Sequence, residues 1–162
     1  MKKILISLLA AALTAALLTS AALAAKPKPK TVVFAGSYTG NATTNMNGTS
    51  GTVTANGTGT GTMIGSSKLS GNGPVTQQQP CALFSGPGQL VAANGAKIVF
   101  TVKPGAQGCG SDSDNTVTLS GYALVNGGSG KFAKAKGTLK FTGVYDRGGG
   151  AFNVKFAGKL TV

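Results

Sequence analysis

Acid–base and nucleophilic chemistry need histidines, carboxylates or an activated thiol, and this chain is nearly bare of them. Its 162 residues include no His and three acids in all, Asp112, Asp114 and Asp146. General acid–base catalysis works through a His or a carboxylate placed in a pocket, so that stock is almost empty. A Ser–His or Cys–His nucleophile is excluded by the missing His. Lysine-based schemes stay open, but no lysine falls on the apolar parity of the clearest strands described below. The nearest catalytic candidates are Asp146 and Arg147, in the stretch DRGGG. Adjacent opposite charges in a glycine-rich turn read first as a solvated loop. GSDSDN, residues 110–115, sets oxygen ligands at alternate positions, as a calcium loop does. The EF-hand pattern fails there, because Val117 holds the glycine position and no Glu follows, so a polar turn is expected. Two cysteines without a His make no metal site. No metal and no cofactor is expected.

GGSGK, residues 127–131, invites comparison with a phosphate-binding loop. That loop needs Gly, four residues, then Gly-Lys-Ser/Thr. Val125 stands where the first glycine belongs, and Phe132 where the hydroxyl belongs. A basic helix around Lys131, Lys134 and Lys136 would be too short to hold itself together. The remaining reading is a turn over Gly127, Gly128 and Gly130, with Phe132, Ala133 and Ala135 covering apolar surface and Gly137 opening a strand.

The elements that must position these residues start after a signal peptide. Lys2 and Lys3 precede the apolar run Ile4–Leu18, and Ala22-Leu23-Ala24 is a small-x-small cleavage site. The expected product is exported, to the periplasm or beyond. Cleavage after Ala24 leaves 162 less 24, or 138 residues, enough for one domain with a real core. The formal charge of +12 loses Lys2 and Lys3 to become +10. Such a balance favours acidic partners: an anionic envelope polymer, extracellular nucleic acid or a membrane surface. Arg147 is the single arginine. Base readout favours the planar guanidinium fork, so no specific nucleic-acid recognition is expected. AKPKPK, residues 25–30, is an extended basic linker. Cys81 and Cys109, 28 positions apart, are expected to form a disulfide in an exported chain.

From residue 31 the hydrophobic period is two. Phe34 and Tyr38, then Ile98, Phe100 and Val102, then Val117 and Leu119, then Leu139, Phe141 and Tyr145, then Phe152, Val154, Phe156 and Leu160 alternate with polar neighbours. That pattern marks antiparallel strands with one wet face. Eight strands are predicted, over 31–39, 50–58, 60–70, 82–92, 96–103, 115–124, 137–145 and 151–161. Asn94-Gly95 and DRGGG are hairpin turns. The predicted fold is all-β: an eight-stranded antiparallel up-and-down barrel over 31–162, with a β-sandwich as the alternative. Phe34, Phe100, Phe141, Tyr145, Phe152 and Phe156 are its candidate interior. A transmembrane barrel would need aromatic girdles that the chain lacks, so no integral membrane protein is expected after cleavage.

GGSGKFAKAKGTLKFTG resembles the G-G-[ST]-G-x-F-x-x-A-x-G segment of the allene oxide cyclase and dirigent-like barrels. GTGTMIG and GQLVAANGAKIVFTV resemble other segments of such proteins, and the likeness covers most of Val53–Val162. The resemblance implies an eight-stranded antiparallel barrel and homo-oligomers. It also implies an isomerase, or a guide for radical coupling, with acids, an arginine and tyrosines round the barrel mouth. Only Asp146 and Arg147 come near that pattern. The expected function is an exported, non-catalytic barrel that binds a small apolar ligand or an acidic envelope or extracellular component. The alternatives are an allene-oxide-cyclase-like or dirigent-like enzyme, and an adhesion or matrix protein acting through Lys26, Lys28, Lys30 and the strand lysines.

Overall fold

A computed structural model describes residues 28–111 and 115–162. The segment read as a signal peptide, most of the basic linker, and Asp112 and Asp114 lie outside them. Eight strands follow one another: β1 (Thr31–Asn47), β2 (Ser50–Gly61), β3 (Gly65–Gln78), β4 (Cys81–Ala92), β5 (Lys97–Cys109), β6 (Thr116–Gly128), β7 (Lys136–Asp146) and β8 (Ala151–Thr161). Each pairs antiparallel with the next, and β8 pairs with β1, closing an up-and-down barrel. Closure removes both sheet edges, so every strand finds two hydrogen-bonding neighbours.

Alternation decides which way each strand faces. Phe34, Ile98, Phe100, Leu139, Phe141, Phe152, Phe156 and Leu160 are buried inside the barrel, while their chain neighbours face out. The apolar face is therefore the inner one. The outer face carries lysines, Lys140 and Lys155 among them, beside the exposed Val33, Val99, Leu124 and Val144.

The strand ends differ from the sequence prediction in three places. First, β1, β3, β5 and β6 run past their predicted ends, to Asn47, Gln78, Cys109 and Gly128. Second, the break predicted at Gly59, between strands 50–58 and 60–70, is not there. β2 continues to Gly61, and the turn falls at residues 62–64, where Met63 takes φ 68° and Gly65 φ 72°. Gly57, Gly59 and Gly61 face inward and make room for rings. A Cβ on Gly57 would lie 2.9 Å from the Phe152 ring, one on Gly59 2.7 Å from Tyr38, and one on Gly61 2.9 Å from Phe34. Third, Gly127 and Gly128 belong to β6, where the β5 register slips between Val99 and Phe100. The turn proper is 129–135. It contains a 3-10 turn at Gly130–Phe132, and Lys136 starts β7 ahead of Gly137. Phe132 and Ala135 are buried, but Ala133 is exposed, contrary to its predicted covering role. Lys30 is not free linker either. Its N–H donates to the Val162 carbonyl at 3.0 Å, and Val162 N–H donates back at 2.9 Å.

The two ends of the barrel are unlike. One end carries the β2–β3, β4–β5 and β6–β7 connections, and it is packed. Phe34, Tyr38, Leu90, Ile98, Phe132, Leu139 and Leu160 are all but inaccessible there. Phe132, held by the 3-10 turn, plugs it, with Lys131 Nζ 5.2 Å from the ring centroid. Tyr38 is the polar exception. Its hydroxyl lies 2.9 Å from Ser67 Oγ, which satisfies both in the core. Burial raises the Tyr38 pKa above the ordinary 10.0, only partly opposed by the Ser67 hydrogen bond.

Candidate functional site

The other end is hollow. Beyond a floor of three phenylalanines the inward side chains become small or sparse. Phe156 is the centre of that floor, with ring centroids 5.8 Å from both Phe100 and Phe141. Above it lies a cavity of about 660 Å³. Val75, Phe84, Val102, Val117, Leu119 and Val154 supply much of its apolar wall, with Ala42 and Ala55 from β1 and β2. The mouth is rimmed by Met46, Tyr145, Arg147 and the glycines of the β7–β8 turn. Pockets that bury a small molecule run to roughly 300–1,000 Å³ and are mostly apolar with a few polar groups. This cavity has that size and that lining.

The cavity exists because the strands are long. The halves of β1 and β3 that the alternation did not reveal are the halves that build the wall. On β1 the inward series passes from Phe34 and Tyr38 to Gly40 and Ala42. On β2 it runs through Gly57 and Ala55 to Val53 and Gly51. Nothing bulky from these strands crosses the upper lumen.

Of the interior residues proposed from sequence, Phe100, Phe141, Tyr145, Phe152 and Phe156 line the cavity. Phe34 does not; it belongs to the packed end. The two weak catalytic candidates part company. Arg147 lines the mouth, and its Nη1 donates to the Ser111 carbonyl at 3.2 Å, while its backbone N–H donates to the Asn115 carbonyl at 2.7 Å. Asp146 closes its own turn. Oδ1 accepts from Gly148 N–H at 2.9 Å, and Oδ2 from Gly149 N–H at 3.1 Å. Both carboxylate oxygens are thus engaged, and Arg147 is the one charged side chain among the described residues of the wall.

Cys81 and Cys109 are bonded, with Cα atoms 4.1 Å apart. They face each other at the β4 start and the β5 end, so the bond ties two strands at the hollow end. Gly127, Gly128, Gly130, Phe132 and Gly137 lie at the opposite end and take no part in the cavity. No group of three or more His, Cys, Asp or Glu among the described residues could hold a metal.

The apolar wall residues Val75 and Phe84 carry no sequence signal of this role. Val102, Val117, Leu119 and Val154 lie on the apolar parity, but alternation cannot tell a filled lumen from an open one. Fold and cavity together define a half-filled antiparallel barrel, packed below and open above. No protein-family model matches the chain, and no curated protein matches it either.

Proposed function

We propose that this protein is an exported carrier that holds one small, largely apolar molecule in the open half of its barrel and does no chemistry on it. The observation that carries this reading is the apolar cavity of about 660 Å³ above the Phe100, Phe141 and Phe156 floor. Close packing is the rule in protein interiors, so a lumen left open beside a packed one is a departure that a ligand would explain. An eight-stranded barrel is also about the size at which the interior can either fill with side chains or hold one ligand. The disulfide at the hollow end suits an oxidising compartment and stiffens the rim.

Native mass spectrometry of the mature protein from its own host, before and after organic extraction, tests the proposal. A defined extra mass that disappears on extraction is the expected result. A titration with N-phenyl-1-naphthylamine complements it: the probe should brighten with the wild type and not with Leu119→Trp, which fills the lumen. A bare mass together with no probe uptake would end the carrier reading.

An allene-oxide-cyclase-like or dirigent-like activity is the second reading. It is favoured by one observation, the placing of Tyr145 and Arg147 together at the cavity mouth. Among the described residues it lacks an available carboxylate there, since Asp146 serves its turn. Turnover of an allene oxide that is lost in Tyr145→Phe or Arg147→Gln would favour this reading over the carrier.

A further inference from the structure

The outer face of β7 and β8 carries four lysines whose register sets them in one row. Lys136 pairs with Thr161, Thr138 with Lys159, Lys140 with Ala157 and Thr142 with Lys155. All four lysines are exposed. Each stands opposite an uncharged residue, so no two face each other directly, where like charges would be most costly. Read along the ladder, however, they come in the order Lys136, Lys159, Lys140, Lys155, alternating between strands at every second residue. With a rise of roughly 3.4 Å per residue, the charges recur about every 7 Å and extend over about 20 Å. That interval is within the screening length of about 8 Å at physiological salt, so neighbouring charges reinforce one another. Lys30 and Lys134 continue the basic character toward the packed end. Among the described residues of β7 and β8 the only carboxylate is Asp146, at the far end and tied to its turn.

We infer that this row is a docking rail for a linear anionic polysaccharide. A periodic cation row fits a chain with charges at regular intervals better than it fits a compact anion. Two further features favour a glycan over single-stranded nucleic acid. Thr138 and Thr142 stand within the row opposite Lys159 and Lys155, and Asn153 lies just past its Lys155 end; these polar groups suit sugar hydroxyls. One aromatic, Tyr122, stands beside it, opposite Lys140 and 52% exposed. One ring can stack on a sugar face, whereas strand binding stacks successive bases on several aromatics. The rail is on the outside of the barrel, and its occupancy does not depend on what the cavity holds.

The test uses the mature protein and polygalacturonate, with an oligo(dT) of matched charge beside it, followed by calorimetry at several salt concentrations. Lys140→Gln/Lys155→Gln/Lys159→Gln removes the core of the rail. Lys68→Gln/Lys97→Gln/Lys103→Gln removes the same charge from exposed positions on β3 and β5. The rail variant should bind polygalacturonate at least about tenfold more weakly, with a salt slope lower by about 2, at roughly 0.7 per lost contact. The control should lose less than about threefold. Unfolding midpoints of both variants confirm that they fold. In the wild type, amide shifts on titration should centre on Thr138, Thr142, Asn153 and Ala157, which reads the site without any substitution. Equal losses in both triples, tighter binding of oligo(dT), or no binding to polygalacturonate at about 50 mM salt would each overturn the inference.

Discussion

Truncating one leucine in each half of the barrel measures directly whether the upper lumen is empty. Leu90 is inaccessible at the packed end, and Leu119 is half-buried and faces the cavity. Leu90→Ala removes three carbons from a filled space. The transfer loss alone is about 2.4 kcal/mol, at roughly 0.8 per buried carbon. A cavity term adds to it because the surroundings relax only in part, giving an expected cost of about 3–4 kcal/mol. Leu119→Ala enlarges a space that is already open, so little cavity term arises. With the side chain only half-buried, about 1 kcal/mol is expected from the transfer loss. Urea unfolding with the disulfide intact reads both, and the slope m should stay the same in the two variants. The contrast of about 2–3 kcal/mol is a large part of a domain's stability of roughly 5–15 kcal/mol. Equal costs for the two truncations would refute the reasoning: the upper half would then be packed in solution, and the carrier proposal would lose its cavity.

Three further outcomes follow from other parts of the molecule. Replacing Cys81 and Cys109 by Ser should lower stability by about 3.5 kcal/mol, the entropy of an open loop of that length, seen as a fall in the urea midpoint that dithiothreitol reproduces in the wild type. Tyr38 has a raised pKa through burial, so its neutral form favours the fold. Its contribution is intact below the unfolded value near 10 and is lost as pH rises from there toward the folded value, at up to about 1.4 kcal/mol per pH unit. The difference in urea stability between wild type and Tyr38→Phe, measured from pH 9 to 11.5, should therefore shrink above pH 10, and a constant difference would contradict the assignment. At the glycines, a Cβ on Gly59 would run into the Ser37 carbonyl oxygen, whereas one on Gly48 meets nothing within 4 Å and faces only its φ of +64°. Gly59→Ala should cost about 2–3 kcal/mol and Gly48→Ala about 1 kcal/mol, both read as shifts of the thermal midpoint.

How far the sequence revealed this molecule depended on what each inward position had to do. Where a strand fills the packed end, its inward residues are Phe, Ile or Leu. The alternation is then loud enough to place β7 and β8 within about a residue of their ends, as at Leu139 and Leu160. The cysteine pair was legible for a different reason, because a chain with two cysteines has one pairing to offer. On the upper half of β1 the inward residues are Gly40 and Ala42, and a small inward residue among threonines and asparagines looks like a loop. So the upper halves of β1 and β3 were missed, and with them the residues that wall a lumen which the expected apolar ligand would need. Gly57 and Gly61 fall inside predicted strands, and only the break between those strands, at Gly59, was misplaced. All three are spacers that let Phe152, Tyr38 and Phe34 cross the lumen. The misplaced break and the missed strand halves share one cause. A hydrophobic pattern records side chains that fill space, and it is silent where space is left open or given to a neighbour's ring. Consistency between local pattern and fold breaks most often where a protein departs from simple stability. Here the break lies along the wall of the hollow half, with Arg147 and Tyr145 at its mouth, and that coincidence ties the unread strand halves to the proposed site.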